Sequence, residues 1–399
     1  MKITGFEVIP FETFSDRISF GRLEANHRIV QTLTIVHTDE GPPAEGYYFG
    51  GHFHGDRDGL LAGDRSLILD FLGPIMAGQD PLDREEIWRQ LTGAKLPEHV
   101  VSVIDLALWD LAGRVCALPV HKLLGGARSR VKAYASSFNN LGQPDDYAAH
   151  AVECQNQGYR AYKIHPYHYW NPATGAPALP RPSYVDWDLA ACRAVRAAVG
   201  DEMVLMFDPW GTYATYGEAL QVGRELEELD FYWYEHPMSE YSAESYVRLA
   251  EELDIPICAP EILEGGIYTR ADWISQRASD ISRIDVLRGG ITGAMKMAAV
   301  CDAFAMRCEL HMSGFGNLQV LGATSADVCE YYERGLLGPG ARYDTAPPYL
   351  ATACDPLGPD GFVELPSAPG LGYQIAWDYI ESHRLPDTPV EPVAPLHPR

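Results

Sequence analysis

Positive charge is scarce in this sequence: 31 Lys and Arg stand against 55 Asp and Glu over 399 residues, a formal net charge of -24. The acids are spread along the whole chain, so no nucleic-acid partner is expected, because binding to a phosphate backbone needs clustered Lys and Arg. Long apolar runs are also missing. None approaches the roughly 20 residues that cross a bilayer, and the opening stretch from Met1 to Glu12 lacks the charged-then-apolar pattern of a secretory leader. A soluble, cytoplasmic chain with no membrane partner is the expectation. The eight cysteines, at 116, 154, 192, 258, 301, 308, 329 and 354, include no CxxC pair or other zinc-like spacing. Buried reduced thiols fit them better than a metal site or a disulfide framework.

What is present is a repeat of one theme. From about Val131 to Tyr332, short apolar runs alternate with amphipathic helical stretches, the pattern of a parallel α/β architecture. The runs lie near Val131, at 159–165, 203–208, 231–235, 255–259, 281–285 and 307–311, and close to Glu330. Asp145 and Asp146 read as the start of one helix and Gly158 as its end, with Gly200 closing the next. Eight strands at this spacing predict a barrel. An open doubly wound sheet is the alternative, but no GxGxxG follows a first strand. Residues 1–127 read as a separate α+β unit and 128–342 as the barrel. Residues 343–399 are rich in Pro and Gly and are expected to pack back on the first unit, ending in a Pro-rich tail.

In a parallel barrel the reactive groups project from the C-terminal strand ends. Those ends here are Lys163 and His165, then Asp208, Glu235, Glu261, Asp285, His311 and Glu330. Unpaired charges are rarely buried, because desolvation is costly, so such a ring calls for a counter-charge. Asp208, Glu235 and Glu261 fall about 26 residues apart, one per successive strand. A single such acid reads better as a helix cap, whereas three at equal spacing reverse that preference and offer convergent oxygen ligands for a hard cation, Mg2+ in preference to zinc.

With these positions in hand, the sequence resembles the enolase superfamily, in its mandelate racemase branch. Phe207-Asp208-Pro209, Tyr234-Glu235-His236-Pro237 and Ala259-Pro260-Glu261 are similar to its three metal-ligand strands. Ile281 to Asp285, followed by Arg288 to Thr292, resembles its sixth strand and turn, and His311 falls at the seventh-strand histidine. Ile104 to Asp110, Leu123 to Gly126 and Pro366 to Gly372 are similar to the stretches that join cap and barrel. The resemblance implies a (β/α)7β TIM-like barrel under an α+β cap, one bound Mg2+, and abstraction of a proton α to a carboxylate with a metal-stabilised enediolate. It makes Asp285 and His311 a dyad, and it puts Glu330 where the eighth-strand glutamate meets the substrate carboxylate, with Glu333 as the other register. The branch has Lys at two alternate positions of strand two. Here they are Lys163 and His165, which leaves open which one is the base and whether Lys163 is only an electrostatic clamp.

Substrate recognition is assigned to Arg22, His27, His52, Tyr167 and Trp210, from the cap stretches around Phe20 and Gly51 and from the strand ends. His52 and His54 also suit a second metal or an ordinary surface pair. The long aromatic stretch 166–182 suits a lid or a subunit contact. Together these readings point to a homo-oligomeric acid-sugar dehydratase acting on a small sugar acid and releasing a 2-keto-3-deoxy sugar acid. A racemase or epimerase using the same site is the alternative, and a noncatalytic sugar-acid binding protein is the alternative from another class.

Overall fold

The computed structural model describes residues 1–15, 27–51, 59–166, 183–340 and 344–386. The chain opens with three strands, β1 (Ile3–Ser15), β2 (His27–Thr38) and β3 (Gly46–Phe49), paired antiparallel in the order β1-β2-β3. Eight strands of the barrel follow in turn: β4 (Arg130–Ser137), β5 (Ala161–Ile164), β6 (Val204–Phe207), β7 (Trp233–Glu235), β8 (Ile257–Cys258), β9 (Ile281–Ile284), β10 (Arg307–Leu310) and β11 (Tyr331–Leu337). Each pairs in parallel with its predecessor from β5 to β10, and β11 pairs in parallel with β4. The seam between β10 and β11 is closed differently. Cys308 N donates to Val328 O at 2.8 Å, and the buried Glu309 carboxylate accepts from the amides of Glu330 and Tyr331 at 3.1 and 3.0 Å.

Helices lie between the strands at the expected punctuation. One runs Pro144–Asn156 with Asp145 and Asp146 in its first turn, and Gly158 follows it with φ +110. Inward-facing residues alternate along each strand. Tyr134, Ala161, Met206, Trp233, Cys258, Ile281 and Tyr331 form an apolar plug inside the barrel. Counting two residues onward from Ala161, Trp233, Ile281 and Tyr331 gives Lys163, Glu235, Arg283 and Glu333, so a charged layer sits directly above the plug.

The helix Glu98–Val115 joins cap to barrel and is buried along nearly its whole length. Its polar groups are consumed by that junction. Ser102 Oγ accepts from the amides of Gly289 and Gly290 at 2.9 and 3.1 Å, and Asp105 accepts from Thr292 N at 3.0 Å. Gly290 must be glycine: its φ is +73, and a Cβ there would stand 2.1 Å from Asp105 Oδ2. The C-terminal segment, expected to pack back on the first unit, divides its contacts between barrel and cap. β12 (Phe362–Glu364) pairs antiparallel with β4 of the barrel, because its short strand can use the free ladder face there. The later part returns to the cap, where Tyr349 and Tyr373 pack on Phe49 at 5.0 and 5.1 Å. The residues after 386, which include the Pro-rich tail, lie outside the described residues. Among the described residues, no helix is long and apolar enough to cross a membrane.

Candidate active site

The C-terminal ends of β5 to β11 converge on one buried cluster. Asp208, His236 and Glu261 each offer one ligand atom, and these atoms all lie within 4.8 Å of one another. Asp208 follows β6 directly, Glu261 lies three residues past the end of β8, and His236 follows β7 with φ 39. Burial and its partner's charge push Asp208 up, but Lys163 and His165 outweigh them and its pKa is lowered. Burial also opposes ionisation of Glu261, yet His236 and His311 hold its pKa well below the carboxylate range. Two ionised carboxylates and an imidazole in a buried pocket suit a small divalent cation, which needs deprotonated ligands and would relieve the repulsion between the acids.

His165 stands on one side of this cluster. Its Nδ1 lies 2.7 Å from Ser137 O and its Nε2 lies 2.9 Å from Asp208 Oδ2. A carbonyl only accepts, so Nδ1 carries a proton and Nε2 is the end that can exchange one. The ring packs against Trp210 at 4.8 Å. His311 stands on the other side, with Nδ1 2.8 Å from Asp285 Oδ2 and Nε2 3.1 Å from Glu261 Oε1. Burial works against its charge, but the bonds to Asp285 and Glu261 dominate and raise its pKa to about 10. Its side chain keeps 17% of its surface exposed, against 2% for His165, so it borders open space.

Lys163 is fully buried among three carboxylates, with Nζ 3.3 Å from Asp208 Oδ2, 3.0 Å from Glu235 Oε2 and 3.1 Å from Glu333 Oε1. Burial favours its neutral form, but Glu235 and Glu333 prevail and lift its pKa well above that of an ordinary lysine. Of the two roles the sequence left open for Lys163, base or electrostatic clamp, these surroundings favour the clamp.

Glu330 is not brought to the cluster. It immediately precedes β11, at the opposite end of the barrel, where its carboxylate meets Lys132 Nζ at 3.0 Å and Arg307 Nη1 at 3.0 Å. Glu333 occupies the inner position instead, accepting from Met312 N at 2.6 Å and pairing with Arg283 and Lys163. The reason is strand parity: Glu330 and Glu333 are three residues apart, so they cannot share the inward face that Tyr331 sets. Glu235 points into the same charged layer and is absent from the trio of gathered ligand atoms.

Sequence reasoning gave no role to His236, Arg283 or Glu240. Glu240 accepts from the amides of Ile262 and Leu263 at 2.9 and 3.0 Å, fixing the turn that carries Glu261. The signal for Arg283 was legible, since an arginine inside the run from Ile281 to Ile284 must find a buried counter-charge. Arg22, His52, Tyr167 and the side chain of His27 lie outside the described residues, as does His54.

The sequence pattern of the enolase C-terminal domain-like family matches residues 146–379, and that of the mandelate racemase/muconate lactonizing enzyme N-terminal domain matches residues 51–125. The chain belongs to the enolase superfamily. In this chain a parallel barrel sits beside an antiparallel cap. The crystal structure of D-glucarate dehydratase from Agrobacterium tumefaciens complexed with magnesium is similar over 97% of this chain and 100% of that one, with 38% identity and a TM-score of 0.87. D-galactarolactone cycloisomerase of Agrobacterium fabrum is 30% identical over 78% of this chain and 82% of its own length. Arabinonate dehydratase of Saccharolobus solfataricus is 28% identical over 79% of this chain and 82% of its own. Relatives of this superfamily member are thus named acid-sugar dehydratases, with a cycloisomerase among them.

Proposed function

We propose that the chain is a magnesium-dependent acid-sugar dehydratase that removes the proton α to a carboxylate and expels the β-hydroxyl as water, yielding a 2-keto-3-deoxy sugar acid. The observation that carries this reading is the pair of imidazoles on opposite sides of the two ligand carboxylates, His165 against Asp208 and His311 against Glu261. Asp208 and Glu261 would hold the cation together with a third group from the end of β7. A bound Mg2+ supplies fixed positive charge beside the substrate carboxylate, which eases removal of the neighbouring proton.

His165 is the base: Ser137 O keeps the proton on Nδ1, so Nε2 receives the α-proton. The electron pair of that C–H bond becomes the C=C bond as the β-carbon–oxygen bond breaks. His311, held cationic by Asp285, gives the Nε2 proton to the departing hydroxyl, which leaves as water. The resulting enol gives up its O–H proton to solvent as carbon 3 takes one up, and so becomes the keto acid. Lys163 remains charged and holds Asp208, Glu235 and Glu333 in register. Aldaric and aldonic acids are the substrate class, on the strength of the relatives' names. The imidazole on each face also suits 1,1-proton transfer, which makes an epimerase the second reading.

The test is a panel of mono- and diacid sugars incubated with Mg2+, with 2-keto acid trapped as its semicarbazone. Release from at least one acid, abolished by a chelator and restored by Mg2+, is the expected result. Interconversion of two α-epimers without keto acid from any substrate would establish the second reading instead.

A further inference from the structure

The turn that carries Glu261 has little apolar packing to hold it. Ile262 is exposed over 54% of its surface, and Leu263 is only half-buried. Yet Glu261 itself is buried, with its carboxylate between His236 Nδ1 at 2.5 Å and His311 Nε2 at 3.1 Å. Two buried charges from different elements hold the turn instead.

Glu240, in the connection after β7, takes the amides. Its Oε1 accepts from Glu261 N, and its Oε2 accepts from Ile262 N and Leu263 N at 2.9 and 3.0 Å. Arg270, buried in the helix Gly266–Gln276, takes the carbonyls. Its Nη2 donates to Pro260 O and Glu261 O at 3.3 and 3.1 Å, its Nη1 to Leu263 O at 2.9 Å, and its Nε to Arg283 O on β9 at 2.9 Å. Burial and Arg288 lower its pKa to about 10, so it is charged at neutral pH.

These contacts fall on the same two peptide groups. The peptide joining Pro260 to Glu261 accepts from Arg270 at its oxygen and donates its N–H to Glu240, and the peptide joining Glu261 to Ile262 does the same. The two rigid planes flank the Glu261 Cα, so its φ and ψ are both fixed. The anion stands at the N–H ends and the cation at the oxygen ends, the favourable orientation for peptide dipoles. Bonds of this kind to ionised groups are roughly twice as strong as neutral ones.

We propose that Glu240 and Arg270 are positioning residues: together they pin both peptide planes around Glu261 and hold its carboxylate ready for the cation. This rests on the metal-dependent reading of the site given above. Because the two act through the backbone of Glu261, their loss is read in cation affinity, whereas loss of a merely structural contact is read in stability alone.

The test uses the full chain, stripped with a chelator and titrated with Mn2+. Free Mn2+ is read by electron paramagnetic resonance, at a temperature where circular dichroism shows every variant folded. Glu240→Gln and Arg270→Met are each expected to weaken Mn2+ binding on the order of 10- to 100-fold, the usual effect of losing an outer partner at a metal site. Arg270→Lys keeps the charge without the planar fork that spans two carbonyls, so it should recover stability but not affinity. Should a single variant fail to fold, Glu240→Gln combined with Arg270→Met, which removes both charges together, carries the same expectation. Asp110→Asn is the control for destabilisation, because buried Asp110 accepts from Tyr47 N and Leu371 N at 3.0 and 2.7 Å at the cap junction. It should lose stability while keeping Mn2+ affinity within a few-fold of wild type. Folded Glu240 and Arg270 variants that bind Mn2+ within a few-fold of wild type, or an Arg270→Lys that restores affinity, overturn the positioning role and leave the metal-dependent reading standing. So does an equal loss of affinity in Asp110→Asn. Folded wild type that takes up no Mn2+ overturns both.

Discussion

His311 Nδ1 and Asp285 Oδ2 stand 2.8 Å apart across neighbouring strand ends, and this contact determines which nitrogen of His311 is free to do chemistry. Asp285 is fixed in turn by accepting from Leu287 N at 2.7 Å. The pair should behave as one unit. His311→Asn and Asp285→Asn are each expected to lower kcat on the order of 10²- to 10⁴-fold, and the double variant should be little worse than the poorer single one. Multiplicative losses in a double-mutant cycle would count against a dyad.

The two faces of the site separate by isotope exchange. With His165 as base, His311→Asn should still exchange the substrate α-proton with D2O while releasing no keto acid. His165→Asn should lose both. Proton NMR of the recovered substrate reads the difference, and exchange surviving in His165→Asn would move the base to another residue.

Lys163→Met leaves Asp208, Glu235 and Glu333 without their shared cation. Breaking a buried ion pair by removing one partner costs about 3–5 kcal/mol, so thermal unfolding should shift strongly downward. Adding Glu333→Gln removes one of the buried charges left uncompensated and should recover part of that loss. No recovery would mean that the three carboxylates are not energetically tied to Lys163.

Strand parity makes Glu330 and Glu333 unequal. Glu333→Gln is expected to abolish most turnover, since it sits among Lys163, Arg283 and the amide of Met312. Glu330→Gln should keep turnover close to wild type and cost about 1 kcal/mol or less of stability, because Lys132 and Arg307 are substantially solvent-exposed. Steady-state kinetics on the two variants, with the reverse ranking as the adverse outcome, checks this.

Asp105 gives a pH signature away from the site. Burial outweighs its bonds to Thr292 and raises its pKa from 3.8 to about 7. The folded state therefore keeps a proton that the unfolded chain has released, so stability falls as pH rises from about 4 to about 7 and this contribution is flat above. The slope attributable to one such group approaches about 1.4 kcal/mol per pH unit. Asp105→Asn should flatten the difference in urea midpoints measured at pH 5 and pH 7, and an unchanged slope would show that Asp105 is ionised throughout.

Much of this protein is determined by the sequence alone. Apolar runs at near-constant spacing gave the eight barrel strands, because a parallel strand buried on both faces must be apolar and short. Ionisable residues at the ends of those runs marked the site, because such charges are tolerated only where partners converge. What the sequence could not decide was which of two neighbouring acids or ligands turns inward. Glu333 rather than Glu330 faces Lys163 because strand β11 presents alternate residues to the interior, and its register comes from pairing with β4, a strand some 200 residues earlier. Likewise, Glu235 is drawn to Arg283 and His236 to Glu261 because β9 and β8 bring those partners within reach. Spacing along the chain records the type of each group, whereas the partner that fixes its charge and direction comes from another strand and exists only once the barrel has closed.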